Sequence, residues 1–137
     1  NFDLKSSHVL PALIRKAHEA KKDGASQIEI WGTGTPRREF LHCDDCADAL
    51  VFLLKNYSGY EHVNVGSGTD VTILELMEMV AEVVGFQGEI VRDETKPDGT
   101  PRKLMSAARL RDMGWEPSID LRDGIASTYQ WYLDNGA

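Results

Sequence analysis

The stretch QIEIWGTGTPRREFLH, residues 27–42, changes character in its middle. QIEIW alternates polar and apolar side chains, the period of a strand with one buried face. GTGTP then supplies the turn chemistry that ends such a strand. A second extended segment is expected over REFLH, residues 38–42. Upstream, Ser6 and Ser7 offer N-cap oxygens, and Val9, Leu10, Leu13, Ile14 and Ala17 recur at helical spacing, so a helix is expected over 7–22. Pro11 falls in its first turn, where a missing N–H is tolerated. Downstream, Asp44 is the expected cap of a helix whose stripe of Cys46, Ala49, Leu50, Leu53 and Leu54 reads as core. A short strand is expected over 62–65. Thr72 and Glu75 then form the capping box of a helix ended by Gly85.

A further strand is expected over 89–92, a short helix from Ser106 to Gly114, and a last helix from Leu121 to Asn135. Leu121, Ile125, Thr128, Tyr129 and Tyr132 give that helix a docking face. Strands alternating with helices indicate an α/β class, with a small mixed sheet and flanking helices in one domain, residues 1–137. A helix opens the pattern with no strand before it, which suggests part of something larger.

The formal net charge is -7, with 15 basic against 22 acidic residues. No broad cationic face is left for a nucleic acid backbone, so no nucleic acid partner is expected. No apolar run approaches the roughly 18 residues of a membrane span, and no leader is visible; a cytoplasmic protein without a membrane partner is expected. The cations nonetheless form islands: Arg15 and Lys16, then Arg37 and Arg38, then Lys96, Arg102 and Lys103 of KPDGTPRK, residues 96–103. Each alone is an ordinary solvated surface with neighbouring acids. Together, on turns rich in Gly and Pro, they suit a small polyanion such as a nucleotide diphosphate.

Single residues carry less. His8 and Lys16 share a helix face, roughly 12 Å apart along the axis, so one ligand can span them. Trp31 is either a stacking platform beside its turn or a core indole. The two G-x-G turns, residues 32–34 and 66–68, complete no dinucleotide fingerprint. Cys43 and Cys46 lack the further ligands of a zinc site and are expected to be buried structural thiols, with no metal. No Tyr-x-x-x-Lys, G-x-S-x-G, H-E-x-x-H or P-loop occurs.

Taken together, SSHVLPALIRKAHEA, WGTGTPRREFLHCDDCADAL, NVGSGTDVTILEL, KPDGTPRKLM and GIASTYQWYLDN resemble the GDP-L-fucose synthase family over nearly the whole chain. These are GDP-4-keto-6-deoxy-D-mannose 3,5-epimerase/4-reductases of the extended short-chain dehydrogenase/reductases. The resemblance implies the C-terminal substrate-binding part of such an enzyme, without the NADP-binding Rossmann segment and the Ser-Tyr-Lys residues. It implies that His8 is the epimerisation acid/base, close enough to the nicotinamide to touch the cofactor. Lys16, where the family often has Arg, Trp31 and Arg38 would contact the GDP-sugar, and Asp98 would accept a hydrogen bond from the nucleotide while the loop's cations face the diphosphate. NADP would belong to the full-length enzyme, with none held by this chain alone. Ser106 stands where relatives commonly have Asp, and the cysteine pair replaces residues that are usually apolar. Two other readings are a stand-alone, self-associating interaction module, for which a homo-oligomer is expected, and another nucleotide-sugar epimerase or dehydratase.

Overall fold

The computed structural model describes residues 1–4 and 6–136. Among the described residues five helices and five strands follow in chain order: α1 (Val9–Lys22), β1 (Gln27–Trp31), β2 (Arg37–Arg38), α2 (Cys43–Asn56), β3 (Val71–Thr72), α3 (Ile73–Val84), β4 (Glu89–Asp93), β5 (Arg102–Lys103), α4 (Ala108–Asp112) and α5 (Leu121–Asn135). The mixed α/β class holds, but the strands divide between two small sheets. β1 and β4 pair in parallel, Gln27 opposite Glu89 through Trp31 opposite Asp93. β2 lies between β3, antiparallel to it, and β5, parallel to it.

The main core forms where the sequence periods are cleanest. In β1 the alternation buries Ile28 and Ile30 and turns Gln27, Glu29 and Trp31 outward. α3 packs against both α1 and α5 and buries Leu76, Met77, Val80, Ala81 and Val84. Its ends are fixed locally: Thr72 Oγ1 accepts from Glu75 N (3.0 Å) while Glu75 Oε2 accepts from Thr72 N (2.7 Å). At the other end Gly85 adopts φ +77°, the left-handed cap that lets its amide close on Ala81. α5 docks Ile125 and Tyr132 into the same cluster, as its apolar face predicts.

The second half of the fold departs from expectation. α2 is capped by His42, whose Nδ1 accepts from Asp44 N (3.2 Å), so Asp44 is not the cap. Of the stripe expected as core only Ala49 is buried, while Leu50 and Leu54 are 58% and 84% exposed. The inner face is rotated toward Asp45, Ala49, Phe52 and Leu53. Residues 62–65 form no strand: Val63 and Val65 pack beside Ala49, Leu110 and Trp115, but among the described residues no strand runs alongside to accept their backbone bonds. The extended segment expected over 38–42 is reduced to β2, in which Arg37 lies opposite Thr72, the last residue of β3, and Arg38 opposite Val71, its first. Helix starts shift as well, to His8 for α1 in place of Ser6 or Ser7, and to Ala107 for α4 in place of Ser106. Cys43 is exposed and Cys46 half-buried, so neither is the buried thiol expected.

Candidate nucleotide-sugar site

Because β1 buries alternate residues, its last side chain must point away from the core, and Trp31 is 65% exposed. Two ammonium groups flank it. Lys16 reaches up from α1, with Nζ 5.8 Å from the ring centroid and donating to Glu29 O (3.2 Å). Lys96, from the loop after β4, brings its Nζ to 5.9 Å. Both lie within the range in which a cation is drawn to the face of an indole. The alternative of a core tryptophan is thereby removed.

The same loop gathers two more of the expected residues. Asp98 directs both carboxylate oxygens at one residue of the GTG turn, accepting from Thr33 N (2.9 Å) and Thr33 Oγ1 (2.8 Å). Arg38 lies on the loop's far end, Nη1 donating to Thr100 O (2.6 Å) and Arg37 O (2.7 Å). Trp31 and Arg38 thus meet the segment 96–101 that carries Asp98, and Lys16 adjoins it through Trp31. His8 is not drawn into this assembly. It stands exposed at the N-cap of α1, about two helical turns before Lys16, without a side-chain capping bond.

Three of the island cations do other work. Arg15 pairs with Glu19 (2.7 Å) one helical turn on and donates to Phe2 O. Arg37 and Arg102 converge on Asp70 and tie the three-stranded sheet together. Bonds from Arg102 and then Arg37 hold the Asp70 carboxyl below the usual carboxylate range, and Asp70 in turn raises Arg37. Of the loop's cations, Arg102 is paired with Asp70 and Lys96 stands with Lys16 at the indole.

Trp31 with its two lysines is an exposed platform. A groove of about 350 Å³ is lined by Arg38 with Ser67, Thr69, Ser118 and Asp120. A larger, mostly apolar cleft of about 710 Å³ lies between Phe2, Leu10, Phe40, Ile125 and Trp131, and contains none of the expected substrate residues. Sequence reasoning missed three residues that shape this region. Glu39 accepts from Gly68 N (2.6 Å) and Met105 N (3.2 Å) and so fixes the second glycine turn. Buried Asp45 accepts from Ser118 N, Ser118 Oγ and Ile119 N, and builds the groove wall opposite Arg38. Burial pushes the Asp45 carboxyl up, but the amides of Ile119 and Ser118 outweigh that and hold it below its ordinary value. Thr33 is the third, and a hydroxyl between two turn glycines was its only sequence signal.

One amide of each glycine turn is taken by a carboxylate, Thr33 N by Asp98 and Gly68 N by Glu39. His42, Cys43 and Asp44 bring metal-ligand atoms within 4.8 Å of one another. Both His42 nitrogens are already engaged, Nδ1 by Asp44 N and Nε2 by Ser127 Oγ (3.2 Å), which leaves the imidazole without a lone pair directed at a metal.

A model of the NAD dependent epimerase/dehydratase family matches residues 1–66. GDP-L-fucose synthase 1 of Arabidopsis thaliana is 62% identical over 98% of this chain and 42% of that protein. The chain resembles the GDP-L-fucose synthases along nearly all its length. The GDP-L-fucose synthase of Escherichia coli K12 is 47% identical over 98% of the chain and 45% of its own length. Among solved structures, the GDP-L-fucose synthetase of Naegleria fowleri bound to NADP superimposes with a TM-score of 0.92 at 28% identity, covering 98% of this chain and 43% of that one. The chain spans about two fifths of the length of the curated relatives it matches. It is therefore similar to a portion of a GDP-L-fucose synthase, as the quoted motifs imply. No helix among the described residues is long and apolar enough to cross a membrane.

Proposed function

We propose that this chain supplies the GDP-sugar-binding portion of a GDP-L-fucose synthase, the C-terminal part of an NADP-dependent epimerase and reductase. The observation that carries the reading is the exposed Trp31 indole with Lys16 and Lys96 at 5.8 and 5.9 Å. An aromatic face with two ammonium groups beside it suits a ligand that joins a flat base or sugar to a diphosphate. Arg38, at the far end of the same loop, directs that ligand toward the groove with Ser67 and Thr69.

His8 is the proton-transferring group in this reading, an exposed imidazole at the start of the helix that carries Lys16. It holds or accepts a proton at a sugar carbon and lies near the nicotinamide in the assembled enzyme. NADP supplies hydride in that enzyme, and in this reading it is held elsewhere than at these turns, where Thr33 N and Gly68 N already bond carboxylates. No Tyr-x-x-x-Lys is present to serve the reduction. Binding, and at most proton exchange through His8, is the activity assigned to these residues.

Calorimetric titration with GDP and with UDP tests the assignment. GDP will bind, UDP will bind more weakly, and Trp31→Ala will weaken GDP by about tenfold or more, the loss of one stacking contact. Equal affinity for the two nucleotides would favour a different nucleotide-sugar enzyme. Indifference of GDP affinity to Trp31→Ala would remove the platform.

A further inference from the structure

α2 carries a thiol at each end of its first turn. Cys43 is its first residue and Cys46 its fourth, both free, the one exposed and the other half-buried. Three residues apart on a regular helix, their Cα atoms stand about 5 Å from each other, inside the roughly 4–7 Å that a disulfide spans. Their Cβ atoms fit less well: about 5–6 Å at that spacing, against about 4 Å in a disulfide, so the bond closes only if the turn tightens. The Cys43 thiol donates to the exposed Asp44 carboxylate over a long 3.7 Å, a weak bond that leaves the sulfur open to attack another group. What the tightening moves is buried. Asp45 lies between the two cysteines and accepts from Ser118 N (3.1 Å), Ser118 Oγ (2.9 Å) and Ile119 N (3.0 Å). A turn drawn in at its two sulfurs swings that carboxylate against donors on a segment more than seventy residues away.

We propose that Cys43 and Cys46 are a redox site, a dithiol that closes to an internal disulfide by exchange with a small disulfide of the glutathione class, and that closure loosens the hold of Asp45 on Ser118 and Ile119. The Cys43 thiolate attacks one sulfur of the small disulfide, forming a mixed disulfide and expelling one thiolate. The Cys46 thiolate then attacks Cys43 Sγ, forming the internal bond and expelling the second. The protein gives up two protons and two electrons, and the small disulfide leaves as two thiols. Because the closed form strains the helical turn, an excess of the small thiol reopens it. The groove wall that faces Arg38 thereby has two states, set by the oxidation of this pair. The site does not rest on the GDP-sugar reading above, since nothing in it depends on what occupies the groove.

Incubating the full chain with glutathione and glutathione disulfide at a series of ratios, then alkylating free thiols and reading the intact mass, tests the site. With the disulfide in excess, a form that has lost two hydrogens and takes no alkyl label will accumulate, and excess glutathione will convert it back. Cys46→Ser will stop at the mixed disulfide on Cys43, and Cys43→Ser will react more slowly, because Cys46 is half-buried. A wild type that stays a dithiol, stops at the mixed disulfide or cross-links to a second copy overturns the redox site. Hydrogen exchange at the Ser118 and Ile119 amides will accelerate about tenfold or more in the closed form, the loss of bonds to a charged acceptor, and will return to its starting rate on reduction. Unchanged exchange after closure overturns the link to Asp45. The same treatment of Cys43→Ser will leave that exchange as it was, and acceleration there would trace the change to something other than the disulfide and overturn the link as well.

Discussion

The two hydrophobic clusters of this molecule are built to different standards. The first joins α1, β1, α3 and α5, with Ile14, Leu76, Met77, Val80 and Ile125 at 0% exposure. The second has only Ala49, Leu110 and Trp115 buried, and its principal helix, α2, turns Leu50, Val51 and Leu54 to the outside. Apolar burial holds the first together, whereas directed polar bonds hold the second: Asp45 to Ser118 and Ile119, and Asp48 Oδ2 accepting from Trp115 Nε1 (2.8 Å). The candidate site borrows from both. Its platform rides on β1 in the first cluster, and the wall of its groove hangs from Asp45 in the second.

The largest effect that would break this contrast is in the first cluster. Leu76→Ala will cost about 3–5 kcal/mol in denaturant unfolding, since the surrounding helices leave no room to collapse onto the lost volume. A cost below about 1 kcal/mol would mean that this cluster is no better packed than the other. Next comes Asp45→Ala, which strands three donors and will cost about 2 kcal/mol. Its pH dependence has a definite sign. Because folding lowers the Asp45 carboxyl, its contribution is complete above the ordinary carboxylate range and is lost as pH falls through the folded value. The acid limb of a stability-against-pH curve will therefore be shallower in Asp45→Ala than in wild type. Thr72→Ala, which opens the capping box of α3, will cost about 1 kcal/mol by the same unfolding measurement. Smallest of all, Leu54→Ala on the outer face of α2 will change stability by less than about 0.5 kcal/mol.

The same division governs how much was legible in the sequence. Where one periodicity dominates, the reading holds: the alternation of QIEIW, the capping box at Thr72 and Glu75, the left-handed Gly85 and the span of α5 all stand as expected. In α2 apolar residues occupy both faces, so helical spacing selected Leu50 and Leu54, while the face turned inward is marked by an aspartate. No pattern argument places a carboxylate in a core, because its partners, Ser118 and Ile119, lie more than seventy residues away. The strand expected over 62–65 failed for a related reason. Its side chains have the right character, but a strand also needs a neighbour. At the site, charge clustering identified Lys16, Arg38 and Lys96 together with Arg15, Arg37 and Arg102. Arg15 is cancelled locally by Glu19 one helical turn on, whereas the pairing of Arg37 and Arg102 with Asp70 is a matter of tertiary contact.

The most direct test of the platform uses the protein's own tryptophans. Trp31 lies beside two lysines, Trp115 is buried against Asp48, and Trp131 lines the apolar cleft, so three indole N–H signals report on three places. In a nitrogen-resolved NMR titration with GDP, the Trp31 signal will move and the Trp115 and Trp131 signals will stay. Movement of Trp131 with Trp31 unchanged would place the nucleotide in the apolar cleft and contradict the account.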